Sequence, residues 1–494
     1  MTPNSYSFLF FFIAVFVVYY LPAVKKTPKA QNIWLLMANY VFYALADWRM
    51  LALLAGATVI FYILGNAIAK ALDQDKEKRA SVFTTLGVLT GVGVLLFFKY
   101  FDFFAQTIAQ LLNAVGLSVS WTTLNIIVPI GVSFFTFKLI AYVIEIHRGK
   151  IPPADGLVSF AAYISFFPTI LSGPIDTPNK FLPQLKNSRH LDYDLATDGC
   201  RQFLWGMLIK MVVADKLAFV TDEAWSFMSY QSGSTLLILA LLFPIQIYAD
   251  FAGYSDMAIG VGKVLGFRVE RNFNHPLLAR NVAEYWRRWH MSLTNWITNY
   301  IFMPLNIRFR NIGKWGIALA VIINLVVIGL WHGANWTYAL FGLYHGLLFL
   351  PLIFWGSFGK NKKIKPYELT IMRHKFTLPK FSDLMKMIAT FCLVAVGHII
   401  FRAPDIHSAF QFAENLCGNS LFTTPDIPIG IVTAFFIILI IAFEWICRND
   451  EHPLQTMRRT LHNHRWLRIL IYYIILLIIF RYQAQNHEFI YFQF

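Results

Sequence analysis

Cysteine, acidic side chains and charge in general are scarce in this chain, and each scarcity removes a class of protein. The four cysteines, Cys200, Cys392, Cys417 and Cys447, stand far apart in 494 residues, and Cys392 and Cys447 fall in apolar stretches. No pair has the spacing of a metal site or a redox motif. Charged residues make up only 14% of the chain and hydrophobic ones 57%, whereas about a quarter of an ordinary soluble domain is charged. Glycine-rich phosphate loops of the P-loop or dinucleotide type are missing. So are His-Glu-x-x-His and His-x-x-Glu-His metal sites and the Gly-x-Ser-x-Gly elbow. These absences argue against an ordinary hydrolase or ATPase.

What the chain has is apolar length. A membrane-crossing helix needs ~20 mostly apolar residues, and candidate stretches recur over 6–23, 31–47, 50–70, 81–101, 122–146, 157–173, 203–220, 234–252, 315–333, 335–356, 386–402, 428–447 and 466–481. They predict an all-α polytopic membrane protein with about 11–12 crossings, the remainder being re-entrant or interfacial. Residues 1–494 read as one membrane domain. The first stretch has no charge before it and no small-x-small cleavage site after it, so it reads as a membrane helix and not as a signal peptide. The stretch around Phe166–Ile175 ends in Ser-Gly-Pro and is the poorest regular span. Broken backbone at membrane depth is tolerated only where protein buries it or where it lines a cavity.

Acidic residues number 27 against 42 basic ones, a formal charge of +15. The basic residues sit in short loops between apolar segments, such as Lys25, Lys26 and Lys29. That placement fits membrane-flanking charge and excludes a nucleic-acid partner in favour of anionic lipid headgroups or an anionic donor. In the first half the basic excess falls on odd-numbered loops, which places the N-terminus outside the cytoplasm. From about Arg268 to Lys314 no clean span exists; Trp286, Trp289, Leu293 and Trp296 recur at helical offsets while Arg287 and Arg288 point elsewhere. This pattern predicts amphipathic helices at the interface or dipping into the protein. The basic connector from Gly359 to Asp383 reads as a surface loop.

Ionisable residues inside a bilayer are costly and mark functional sites, and histidine suits acid–base work near neutrality. His332, His345 and His398 lie in or at the edges of strongly apolar segments, and His290 lies in the interfacial middle region. His332 ends a long apolar run and is followed by Gly333, which lets backbone or a ligand approach closely. His345 can equally bond to a neighbouring helix, and Asp250 and Asp256 read as structural hydrogen-bond acceptors. Arg287 and Arg288 suit donor phosphates or lipid headgroups.

The string Gly329-Leu330-Trp331-His332-Gly333, followed by Leu343-Tyr344-His345-Gly346, resembles the signature of the membrane-bound O-acyltransferase superfamily. Further stretches resemble its bacterial alginate O-acetylation branch, in consistent order from end to end. They are Phe167-Pro168-Thr169-Ile170-Leu171-Ser172-Gly173-Pro174, the run Tyr248 to Gly260, Trp286-Arg287-Arg288-Trp289-His290, and Phe401-Arg402-Ala403. The resemblance implies tilted and broken helices around a central tunnel, with His332 as catalytic base and His290 as the second signature position. It implies donor contacts from Arg287, Arg288 and Trp331. It further implies a cytoplasmic acyl thioester donor on coenzyme A or a carrier protein, and no permanently bound cofactor or metal. The acceptor would be an extracytoplasmic polysaccharide, reached through an esterase-like acetyltransferase partner outside a bacterial cytoplasmic membrane. The tail Phe489-Ile490-Tyr491-Phe492-Gln493-Phe494 resembles the end of a small membrane partner in D-alanine transfer to teichoic acids, which makes Tyr491 a candidate acyl relay. Two alternatives stay open at this stage: D-alanyl or lipid transfer by the same superfamily, and a proton-coupled transporter.

Overall fold

The computed structural model describes residues 2–118, 126–356, 358–359, 367–371, 374–427, 430–483 and 489. Six helices among them are long and apolar enough to cross a membrane: Pro28–Asp73, Glu77–Ala114, Gly233–Val264, Arg310–His332, Trp336–Phe354 and Phe381–Arg402. Tyr6–Tyr19 and Ile431–Ile446 are shorter and equally apolar. Only 17% of the apolar window in Glu77–Ala114 is buried inside the protein. Its hydrophobic side chains therefore face outward, an arrangement that is stable against lipid tails and not against water. The protein is a multi-pass membrane protein built almost wholly of helix.

Contacts divide the chain into two compact units, Met1–Cys200 with Ala258–Glu270, and Arg201–Met257 with Arg271–Phe494. In the first unit, the stretches read as separate spans over 31–47 and 50–70 form the single run Pro28–Asp73, broken only at Asp47 (φ −157°, ψ 107°). Asp47 accepts the Arg49 backbone N–H at 2.9 Å and pairs with its guanidinium at 3.0 Å. This is a side-chain cap placed between two helices.

Val132–His147 forms the buried centre of the same unit. Beside it the expected irregular span is indeed broken into Leu157–Ile164 and Phe167–Ile170. Side chains take up the backbone groups freed by the break. Asn39 donates to the Ala162 carbonyl at 3.2 Å and accepts the Phe167 N–H at 2.9 Å. Lys138 reaches the Thr169 hydroxyl at 3.1 Å and the Tyr163 carbonyl at 3.4 Å. With these polar groups served from within, irregular backbone survives away from water.

The second unit holds the later spans and the middle region. That region forms short helices, among them Val282–Trp286, Met291–Ile297 and Met303–Arg308. The connector read as a loop instead contains an antiparallel hairpin, Tyr367–Ile371 with His374–Leu378, before the helix Phe381–Arg402 begins. Its Tyr, Leu, Thr, Ile and Phe residues have strand preference, which its lysines masked in a reading by charge.

Candidate active site

His332 is the last residue of the helix Gly313–His332. Gly333 breaks the helix, and Asn335 caps the next one, Trp336–Leu348, by accepting the Thr337 N–H at 3.1 Å. The Asn335 amide also donates to the Pro404 carbonyl at 2.7 Å. The sequence Gly-Ala-Asn thus makes a tight elbow between two apolar helices. Within lipid, such helices associate through close packing of small residues. A β-carbon on Gly342 would strike the Leu325 carbonyl and lie 2.6 Å from the Val326 Cα; one on Gly329 would strike the Tyr338 carbonyl. Backbone lies on backbone here, and that contact fixes where the elbow carries His332.

His332 is 7% exposed, so it faces protein and not lipid. Phe401 meets it edge-on at 5.1 Å, Trp331 lies at 4.9 Å and Tyr338 at 6.5 Å. Tyr338 and Phe341 in turn pack on Phe401 at 5.0 and 5.2 Å. The motif Phe401-Arg402-Ala403 acquires a physical meaning here: its phenyl ring is a wall of the His332 site. Arg402 turns away to pair with Asp222 at 2.6 Å.

His290 reaches the same place from the middle region. Asn281 caps Val282–Trp286 by accepting the Glu284 N–H at 2.8 Å. Trp286, Trp289, Leu293 and Trp296 are all buried and Arg287 is exposed. The helical pattern is nevertheless interrupted at His290, which adopts the left-handed conformation (φ 42°, ψ 52°). For a residue with a side chain that conformation costs about 1–3 kcal/mol and persists only where the surroundings enforce it. The break turns the His290 ring onto Phe251 at 4.6 Å and Trp331 at 5.5 Å. His290 is 1% exposed, and burial pushes its imidazole down to about 3, so the ring is neutral at physiological pH.

The remaining candidates separate. Arg288 donates to Glu284 at 2.8 Å and to the Asn274 carbonyl at 3.1 Å, which ties it to the local fold. Burial works to raise the Glu284 carboxyl, but the Arg280 N–H and the guanidiniums of Arg288 and Arg280 outweigh it and hold the group below its ordinary value. His345 accepts the Trp286 indole N–H at 3.3 Å, which makes it a helix-to-helix anchor for the segment that bears His290. His398 bonds through Nδ1 to the Val394 carbonyl of its own helix at 2.9 Å. Asp256 accepts from Gln202 at 2.7 Å. Asp250 has an ionic role that sequence reasoning missed: Lys210 lies 2.5 Å from it and 2.6 Å from Asp215. No spacing rule joins Lys210 to Asp250, which lie on different helices.

Tyr491 lies outside the described residues. Phe489, two residues before it, is buried; it stacks on Tyr254 at 4.5 Å and lies 6.0 Å from Phe251, the ring that touches His290.

Residues 152–371, which contain both histidines, match the MBOAT, membrane-bound O-acyltransferase family. The chain is 33% identical to the probable alginate O-acetylase of Pseudomonas aeruginosa, over 92% of this chain and 84% of that protein. It is 33% identical to the probable alginate O-acetylase of Azotobacter vinelandii, over 92% of this chain and 87% of that one. To the peptidoglycan O-acetyltransferase of Helicobacter pylori it is 30% identical, over 84% and 79%. The chain belongs to the membrane-bound O-acyltransferase family, in its alginate O-acetylase-like branch, and is an O-acyltransferase.

Proposed function

We propose that this protein takes an acetyl group from a cytoplasmic thioester, on coenzyme A or a carrier protein, and passes it across a bacterial cytoplasmic membrane. There it serves O-acetylation of an extracytoplasmic polysaccharide, through an esterase-like transferase partner. The observation that carries this reading is the convergence of two separate segments, one bearing Trp331 and His332 and the other His290, on one buried aromatic site. The names of the relatives, acting on alginate and peptidoglycan, support acetyl as the group and a polysaccharide as the destination.

An alcohol is a poor nucleophile at neutral pH, and a thioester carbonyl is a reactive acyl source. His332 accepts the hydroxyl proton as the oxygen attacks the carbonyl carbon; a C–O bond forms, the C–S bond breaks, and the proton passes to the departing thiolate. A positioned base of this kind contributes a factor of ~10²–10⁴. The ring ends a helix, where carbonyl dipoles stabilise the positive charge it acquires on taking the proton. His290, neutral and fixed, orients the donor or relays the proton, and Arg287 and Trp331 contact the donor. Tyr491 is the first acceptor in this scheme: its phenol captures the acyl group and yields it to the outer partner.

The test is mass analysis of the cell-surface polysaccharides with and without the gene. Loss of O-acetyl esters from one polymer is expected. An unchanged ester content with D-alanine lost from teichoic acid would replace acetyl with D-alanyl.

A further inference from the structure

The conformation of His290 needs an enforcing partner, and the residue in that position is Asn272. Asn272 is fully buried. Its backbone carbonyl accepts the N–H of Met291, the residue directly after His290, at 2.8 Å. Its side-chain oxygen accepts the Ser292 hydroxyl at 2.6 Å, and its side-chain nitrogen donates to the Ser255 hydroxyl at 2.9 Å. A single amide therefore ties the chain on the far side of His290 to the helix Gly233–Val264, and the same helix supplies Phe251, the ring against which His290 packs. Asn274 adds a second strand-like tie, its N–H donating to the Arg288 carbonyl at 3.0 Å on the near side of His290.

We infer that Asn272, through Ser255 and Ser292, is the positioning residue that holds His290 in its left-handed conformation, with the ring aimed at Trp331 and the His332 site. It rests on the reading of His290 as a working member of that site. Without the clamp, residues 290–292 relax toward right-handed backbone, and the imidazole swings away from Trp331 while the surrounding helices keep their packing. An aspartate at 272 would keep the acceptor for Ser292 but lose the donor to Ser255; alanine loses both. Serine 292 offers the smallest perturbation, because its replacement removes one hydroxyl and leaves the amide in place.

The experiment compares Asn272→Ala, Ser292→Ala, Ser292→Thr and His290→Ala with the unaltered protein at matched membrane levels in a strain lacking the gene. The readout is O-acetyl content of the cell-surface polysaccharide. Displacing a functional group by about an ångström costs roughly 10²-fold, so Asn272→Ala is expected to leave a small residue of transfer and Ser292→Ala a reduced one. Ser292→Thr, which restores the hydroxyl, is expected to recover most of it; a purely steric effect of position 292 would make threonine worse than alanine. Full transfer by Ser292→Ala, or no recovery in Ser292→Thr, overturns the clamp even if Asn272→Ala fails to reach the membrane. His290→Ala at full transfer defeats the underlying reading of the site; His290→Ala impaired beside intact Asn272→Ala and Ser292→Ala defeats the clamp alone.

Discussion

The rings of His290 and Trp331 meet edge to face, with centroids 5.5 Å apart and planes at 72°. Trp331 is the neighbour of His332 in sequence and touches its ring as well. The indole thus touches both histidine rings and spaces them against each other. Trp331→Ala is expected to lower acyl transfer at least tenfold, because the two imidazoles lose their common spacer, while Trp331→Phe retains an aromatic edge and more of the activity. Polysaccharide O-acetyl content at equal protein level checks both.

Close backbone packing makes a second prediction specific. Position 342 has no room for a methyl group, whereas a β-carbon on Gly93, in the helix Glu77–Leu95, meets nothing within 4 Å. Overpacking of this kind costs about 1–3 kcal/mol, and alanine exceeds glycine in a helix by about 1 kcal/mol. Gly342→Ala is therefore expected to lower the melting temperature of the detergent-solubilised protein and to impair transfer. Gly93→Ala is expected to do neither.

The ionic cluster of Lys210, Asp215 and Asp250 is almost wholly buried. Taking away its one cation leaves two buried carboxylates without their counter-charge, at a cost of about 3–5 kcal/mol. Lys210→Ala is expected to reduce the amount of folded protein in the membrane and its thermal stability, well beyond the effect of Asp256→Ala. Equal stability of the two variants would remove the structural role assigned to Lys210.

Glu284 gives a pH dependence with a definite sign. Its carboxyl lies below its ordinary value in the folded protein, so its contribution is complete above the unfolded value and is lost as pH falls through the folded one. Glu284→Gln is expected to melt lower than the unaltered protein at pH 7, with the difference shrinking toward acid pH. Melting curves recorded from pH 7 to pH 3 decide it; a constant difference would show that the ion pairs to Arg280 and Arg288 do not contribute.

Much of this was legible in the sequence, for physical reasons that differ from element to element. Apolar length against bilayer thickness identified the long helices, and the polar step at Asp47-Trp48-Arg49 marked the break in Pro28–Asp73. The boundary between the stretches 315–333 and 335–356 fell at the elbow, where Gly333 and the Asn335 cap end one helix and start another. Trp286, Trp289, Leu293 and Trp296 are buried, but on two short helices separated at His290 and not on the one helical face that their offsets suggested. The reversal at His290 was not legible, because nothing in Trp-His-Met announces left-handed backbone; it is imposed by Asn272 and Ser255, which are distant in sequence. The union of Lys210 with Asp250 was hidden for the same reason. Phe401 was visible only as part of a motif, and the structure supplies its task as a wall of the His332 site.

The most direct test of the account is His332→Ala, produced at the level of the unaltered protein in a strain lacking the gene, with O-acetyl esters on the cell-surface polysaccharide as the readout. The ring is buried in an aromatic pocket at a helix end, so its loss is expected to leave the protein in the membrane and the polymer without acetyl groups. A folded His332→Ala protein that still acetylates the polymer at the normal level would contradict the assignment of His332 as the base.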